Sequence, residues 1–196
     1  MGMLLVGGAR PRHLVALTLV GVVAVVAVIN LGVLKQYQLD RLGAFIKPDA
    51  DTQRSAYNLN QSKIAIGSGG ITGKGLGKGP QTNLSYVPEQ HTDFIFTVVG
   101  EELGFFGSSL LLVLFGIVVW RTWRAAALSK DLFGTLVCVG VLSMLVFQVF
   151  ENAGMTMGIM PITGIPLPLF SYGGSSVIAT FIGVGLVLNV HMRRFS

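Results

Sequence analysis

Residues 14–34 read LVALTLVGVVAVVAVINLGVL, a run without one charged side chain. About 20 consecutive apolar residues in a helix cross the ~30 Å hydrocarbon layer of a bilayer. A helix built from this run has no face to turn toward water, so the run decides the fold class. Three further stretches repeat the pattern, at about 94–120, 132–150 and 176–191. The second carries Glu101 and Glu102 near its start, which leaves Leu103 to Trp120 as its uncharged part. The fourth is short and is expected to extend backward into Ser171–Ser175. The expectation is an all-α, polytopic membrane protein: a single membrane domain over 1–196 with about four transmembrane helices. A signal peptide is the competing reading of the first run, because Arg10 and Arg12 precede it. Its length and the absence of a small-residue cleavage site after it argue against that.

Composition agrees. Of 196 residues 52% are hydrophobic and 12% are charged, with a mean hydropathy of +0.69. Soluble domains carry about 25% charged residues, so a large solvated surface is excluded. Cys138 is the only cysteine and has no partner for a disulfide within the chain. The formal charge of +5 is no nucleic-acid signature, because the Lys and Arg residues sit in clusters between apolar runs.

Those clusters set an expected orientation. Arg10 and Arg12 precede the first run, Arg121, Arg124 and Lys130 lie between the second and third, and Arg193 and Arg194 follow the fourth. All three places fall on one side of a four-span chain, which the positive-inside rule makes cytoplasmic. Both termini are then cytoplasmic, and the segment 35–93 and the connection 151–175 are extracytoplasmic. The long segment holds seven Lys and Arg, yet long loops translocate largely regardless of charge.

The outer segments are uneven in composition. From Lys35 to Arg54 the chain is polar, with a turn expected at Lys47-Pro48-Asp49. From Ala56 to Ile66 the apolar residues group as on a short amphipathic helix that could lie along the membrane surface. Gly67 to Gly79 then places seven glycines in 13 residues, together with Lys74 and Lys78. Such a stretch can bring bare N–H groups and ammonium groups to a phosphate. It lacks the P-loop pattern, since Ser68 stands where the first glycine belongs and Gly75 follows Lys74. A flexible loop without a ligand role is the simpler reading.

Three ionisable side chains, Glu89, His91 and Asp93, meet the boundary of the second span within five residues. One reading is a helix cap, with Thr92 or Asp93 accepting first-turn N–H groups and Pro88 stopping any helix upstream. A catalytic role is compatible with that. Glu101 and Glu102 lie deeper, where ionisable groups face protein or water. An ion pathway would need Glu151, Gln148, Asn152 or Asn30 as partners, and a plain helix contact needs none of them. In the connection 151–175, Pro161, Pro166 and Pro168 forbid a continuous helix in a piece too apolar for a solvated loop. It is expected to be a re-entrant lining covered by protein. Its methionines have no His or Cys beside them and read as packing filler.

The motifs QSKIAIGSGG at 61–70, PEQHTDFIF at 88–96, GEELG at 100–104, PLP at 166–168 and SYGGS at 171–175, in that order, resemble the SEDS family. The 61–67 run and Thr82–Tyr86 are more similar to its RodA-like elongation branch than to its FtsW-like division branch. The resemblance implies a peptidoglycan glycosyltransferase that polymerises lipid II into glycan strands on the outer face of the bacterial cytoplasmic membrane, in elongation and cell shape maintenance. Family members have ten spans, of which this chain resembles the last four; residues 1–13 carry no motif. Asp93 stands where the family has its essential aspartate, which implies a general base or the ligand of a divalent cation, Mg or Mn. Lys63, Ser68, Gly69, Gly70 and Lys74 become candidates for holding substrate diphosphate, and Glu89 and His91 for tuning Asp93 or orienting a sugar. The implied partner is a class B penicillin-binding protein. A lipid-linked precursor flippase and a non-catalytic membrane adaptor are the other function classes open at this point.

Overall fold

The computed structural model describes residues 2–31, 54–83 and 91–193. The turn expected at Lys47-Pro48-Asp49, Pro88 and Glu89 lie outside the described residues. Within them every regular element is a helix: α1 (Gly2–Val6), α2 (Pro11–Asn30), α3 (Arg54–Gly69), α4 (Pro80–Asn83), α5 (Ile95–Ala127), α6 (Leu132–Met157) and α7 (Gly174–Arg193). The four helices α2, α5, α6 and α7 are long and apolar enough to cross a membrane, so the chain is membrane-integral.

Helix α2 begins at Pro11, where a missing N–H costs nothing because first-turn donors have no helical partner. Two of its polar side chains, Thr18 and Asn30, fold back onto their own helix. Thr18 Oγ1 donates to Leu14 O at 2.5 Å and Asn30 Nδ2 donates to Val26 O at 2.8 Å. The Thr18 hydroxyl and one Asn30 amide donor thereby find acceptors inside the helix. Among the described elements α2 packs only against α1, which in turn lies on α6. Among the described elements the helix bearing Asn30 therefore makes no contact with α5, α6 or α7.

The other three spans are α5, α6 and α7, with α3 packed on α5 and α6. Leu59, Ser62 and Ala65 form the buried stripe of α3, so the helix expected to lie along a membrane surface turns its inner face to protein. A small core of Ala125, Ala126, Cys138, Val139 and Val187 joins the three spans at the opposite end.

Helix α6 runs seven residues beyond the expected end at Phe150. Glu151, Asn152 and Thr156 made that stretch look like loop, yet all three are buried and face protein. The helix stops at Gly158, whose φ of 77° is left-handed and whose N–H closes onto Met155 O. The irregular part of the Pro-rich connection is correspondingly shorter, 159–173. Helix α7 starts at Gly174, inside the stretch into which the fourth run was expected to extend.

The second span is not continuous. Gly104 has φ 64° and ψ −160°, which breaks α5 into two pieces, and the glycine stretch repairs the break. Phe105 N and Phe106 N donate to Gly70 O and Ile71 O at 2.9 and 3.1 Å, while Lys74 N and Gly75 N donate to Glu101 O and Glu102 O at 3.1 and 2.9 Å. Two backbones exchange four hydrogen bonds at van der Waals contact, and this is why the stretch is glycine-rich. A Cβ on Gly69 would lie 2.0 Å from Gly100 O, and one on Gly104 would lie 2.3 Å from Gly73 N. The flexible-loop reading is thereby corrected, because the stretch is docked.

Gly69→Ala is expected to lower the melting temperature in detergent, by a cost of about 1–3 kcal/mol or more, since the clash is with backbone. Gly67→Ala, in α3 with nothing within 4 Å of its Cβ position, is expected to be neutral or stabilising by up to ~1 kcal/mol. Thermal unfolding of the two variants checks the clasp, and equal melting temperatures would contradict it.

Candidate active site

Asp93 sits in the turn 91–94 that leads into α5. Phe94 occupies the N-cap position of that helix and offers no side-chain cap. The turn is instead held through its carbonyl groups. His91 O accepts from Tyr172 N at 2.9 Å, Thr92 O from Ser171 Oγ at 2.6 Å, and Asp93 O from Asn152 Nδ2 at 2.7 Å.

The two side chains in this clamp each serve twice. Asn152 Nδ2 also donates to Ile165 O at 2.9 Å, and Ser171 Oγ also accepts from Leu167 N at 2.8 Å. Asn152 and Ser171 therefore fasten three segments together: the Asp93 turn, the Pro-rich connection and α6. Both are buried. Thr163 Oγ1, in the same connection, donates to Glu151 Oε1 at 2.9 Å. The Asp93 carboxylate lies against Gly164, where an added Cβ would come 2.9 Å from Oδ2. Asp93 itself is half-buried and His91 exposed. The site is thus a carboxylate with a fixed backbone at one mouth of the helical bundle.

Beneath it, a second polar layer ties α3 to the spans. Ser62 Oγ and Thr97 Oγ1 are 2.6 Å apart, and Ser62 Oγ donates to Thr156 O at 2.9 Å. All three residues are fully buried.

Glu101 organises the other side of the glycine stretch. Its carboxylate accepts from Gln81 N at 2.9 Å and from Thr82 N and Thr82 Oγ1 at 2.9 and 2.6 Å. Those first two contacts cap the short α4. Lys74 Nζ lies 3.7 Å from Glu101 Oε1, with the Lys74 side chain 32% exposed and Glu101 fully buried. A buried carboxylate with this many donors is a structural anchor, since an unpaired one would be strongly unfavourable.

The remaining candidates are placed as follows. Lys63 puts Cε and Nζ beside Gly158 at the C-terminal end of α6, where a cation meets the negative end of the helix dipole. Ser68 Oγ donates to Ala65 O within α3, and Gly69 is buried against Gly100 O. The N–H groups of Gly70, Gly73, Lys74 and Gly75 are donated to Gly67 O, Gly69 O, Glu101 O and Glu102 O. These four donors are not free for an anion, which corrects the expectation of a bare N–H cradle. The Lys74 side chain, 32% exposed, remains partly open to solvent.

For a divalent cation at Asp93 the fit is poor. Among the described residues no three His, Cys, Asp or Glu side chains cluster, and one carboxylate is too few donors for a resident metal. A hydrated divalent cation held mainly by substrate phosphates is compatible with a single carboxylate.

Asn152 and the Ser62–Thr97–Thr156 layer were not picked out as site-forming from sequence. The one available signal was small polar residues at helical spacing inside otherwise apolar faces.

The fold and site together define a polytopic helical membrane protein with an ordered carboxylate at one end of its bundle. Residues 1–195 match the family model FTSW_RODA_SPOVE, described as cell cycle protein, and the chain belongs to that family. The match includes residues 1–13, which carry no recognisable motif. The chain is 42% identical over 188 residues to stage V sporulation protein E of Bacillus subtilis (strain 168), covering 96% of this chain and 50% of that protein. It is 41% identical over 182 residues to peptidoglycan glycosyltransferase MrdB of Escherichia coli (strain K12), covering 93% and 49%. The chain therefore spans about half the length of the curated relatives it matches. Its fold is similar, with a TM-score of 0.78 and 37% identity, to a chain in a solved structure described as "Structural coordination of polymerization and crosslinking by a peptidoglycan synthase complex". That likeness covers 100% of this chain and 53% of the other.

Asn152→Leu removes the donor shared by Asp93 O and Ile165 O and leaves two carbonyls unpaired in a buried place. A loss of about 1–3 kcal/mol per orphaned group is expected, read as a lowered melting temperature in detergent. An unchanged melting temperature would show that the clamp contributes nothing to stability.

Proposed function

We propose that the chain supplies the reaction end of a peptidoglycan glycosyltransferase that polymerises lipid II during elongation and cell shape maintenance. The observation that carries this is the clamped turn: Asp93 has its backbone fixed by Tyr172, Ser171 and Asn152. Relatives of similar sequence support it, since one of them is named for that activity. A base that must meet a substrate hydroxyl at ~3 Å gains from such fixing, because misplacement by an ångström costs rate steeply.

In the proposed reaction the 4-hydroxyl oxygen of the incoming lipid II sugar forms a bond to the anomeric carbon of the growing glycan. The bond from that carbon to the lipid diphosphate breaks, and its electron pair leaves with the diphosphate. Asp93 takes the hydroxyl proton. The ammonium groups of Lys63 and Lys74 are the candidates for the charge on the departing diphosphate. Ser68, Gly69 and Gly70 are further candidates for the diphosphate, and His91 and Glu89 for orienting the sugar or tuning Asp93. Any divalent cation would be brought with the phosphates and would help to neutralise them.

Asp93 belongs on the extracytoplasmic face of the bacterial cytoplasmic membrane, with both chain ends cytoplasmic, on the strength of the Lys and Arg clusters. A class B penicillin-binding protein is the proposed partner. The similar complex, described as coordinating polymerisation and crosslinking, supports that choice.

Glycan formed from labelled lipid II by purified protein is the test. Asp93→Asn keeps the shape of the side chain and is expected to lower polymer formation at least ~100-fold. Full activity of this variant would return Asp93 to a structural role. Lipid transport without any polymer would favour the flippase. In a Cys138→Ser background, Asp93→Cys is expected to react with an impermeant thiol reagent added outside the cell. Labelling only from the cytoplasmic side would overturn the orientation.

A further inference from the structure

At the end of the bundle opposite Asp93 a cavity of about 420 Å³ opens between α5 and α7. Both helices run in the same direction and finish there, at Ala127 and Arg193. The upper rim carries Arg121 and Arg124 from α5 and His191 from α7. One or two turns deeper, the walls become apolar, with Ile117, Val184 and Leu188.

Trp120 and Trp123, both more than half exposed, mark the level of the membrane–water interface, where amphipathic rings settle. The Arg124 guanidinium lies 5.8 Å from the Trp120 ring centre, a cation–π geometry that holds it at that level. Among the described residues Arg121 is in no ion pair.

We infer that this groove is a binding site for one anionic phospholipid, with the headgroup phosphate between Arg121 and Arg124 and an acyl chain along Ile117, Val184 and Leu188. The charges favour it. The C-terminal carbonyl groups of α5 and α7 repel an anion, but each helix end amounts to only about half a charge, against a full positive charge on each of two guanidiniums. The acidic group nearby in sequence, Asp131, is engaged as the N-cap of α6 and accepts from Gly134 N at 3.2 Å. It lines a different cavity, together with Lys130 and Arg193. A soluble phosphate ester would satisfy the rim and leave the apolar walls uncovered, so a lipid fits both halves. The inference concerns the end of the bundle remote from Asp93 and does not depend on the proposed reaction.

Native mass spectrometry of the whole chain in detergent, titrated with phosphatidylglycerol, phosphatidylcholine of matched chain length or glycerol 3-phosphate, tests it. Phosphatidylglycerol is expected to be retained roughly tenfold more than phosphatidylcholine, and glycerol 3-phosphate not at all. The double change Arg121→Gln and Arg124→Gln is expected to abolish the preference, and Val184→Trp to reduce retention by filling the groove. Equal retention of the two lipids by the unaltered chain would overturn the proposal, as would a preference that survives the double change. Because variants can misfold, the unaltered chain is also crosslinked with phosphatidylglycerol bearing a diazirine on its acyl chain. Adducts are expected on peptides containing Ile117, Val184 or Leu188. Adducts confined to other helices, or a protein segment crosslinked into the groove in place of lipid, would overturn it.

Discussion

Backbone that leaves the helical path inside a membrane must find its hydrogen bonds in protein, because lipid offers none. Two irregular passages of this chain meet that requirement at the same end of the bundle. The break in α5 at Gly104 is closed by the glycine stretch through four backbone hydrogen bonds. The Pro-rich connection after α6 is closed by Asn152 and Ser171, which donate to and accept from it and to the Asp93 turn. The candidate site is a by-product of both repairs. Without the first, α3 and the glycine stretch have no seat on α5; without the second, the turn bearing Asp93 has no fixed position.

The polar residues of the bundle divide by role on this account. Glu101 and Glu151 have their carboxylates engaged by protein donors. Ser62 and Thr97 pair through their hydroxyls, Ser62 Oγ also donates to Thr156 O, and Thr156 Oγ1 donates to Ala153 O, all in a fully buried layer. These groups hold elements together. Asp93 differs in being half-buried at the mouth while its backbone is immobilised from below, which is the arrangement a proton acceptor for a bulky substrate requires. The chain covers about half of its relatives' length.

Much of this was legible in the sequence. Uncharged runs marked the spans because nothing but lipid or protein can cover them, and the prolines at 161, 166 and 168 marked a passage that could not be helical. Asp93 stood out through the motif around it. The extension of α6 through Glu151, Asn152 and Thr156 was hidden because polarity mimics a loop when its partners lie elsewhere in the chain. The break at Gly104 was hidden because glycine alone does not break a helix, and the partner that stabilises the break lies about thirty residues upstream. Likewise, seven glycines between 67 and 79 read as a flexible loop or, failing that, an anion cradle, since no sequence pattern reveals that a second backbone docks on them.

The most direct measurement of the central claim is amide hydrogen exchange of the chain in lipid nanodiscs, resolved over 69–75 and 104–106. If the glycine stretch and the broken helix satisfy each other, the Lys74, Gly75, Phe105 and Phe106 amides exchange as slowly as those in the middle of α6. Exchange as fast as in an open loop would contradict the clasp and, with it, the ordered site built upon it.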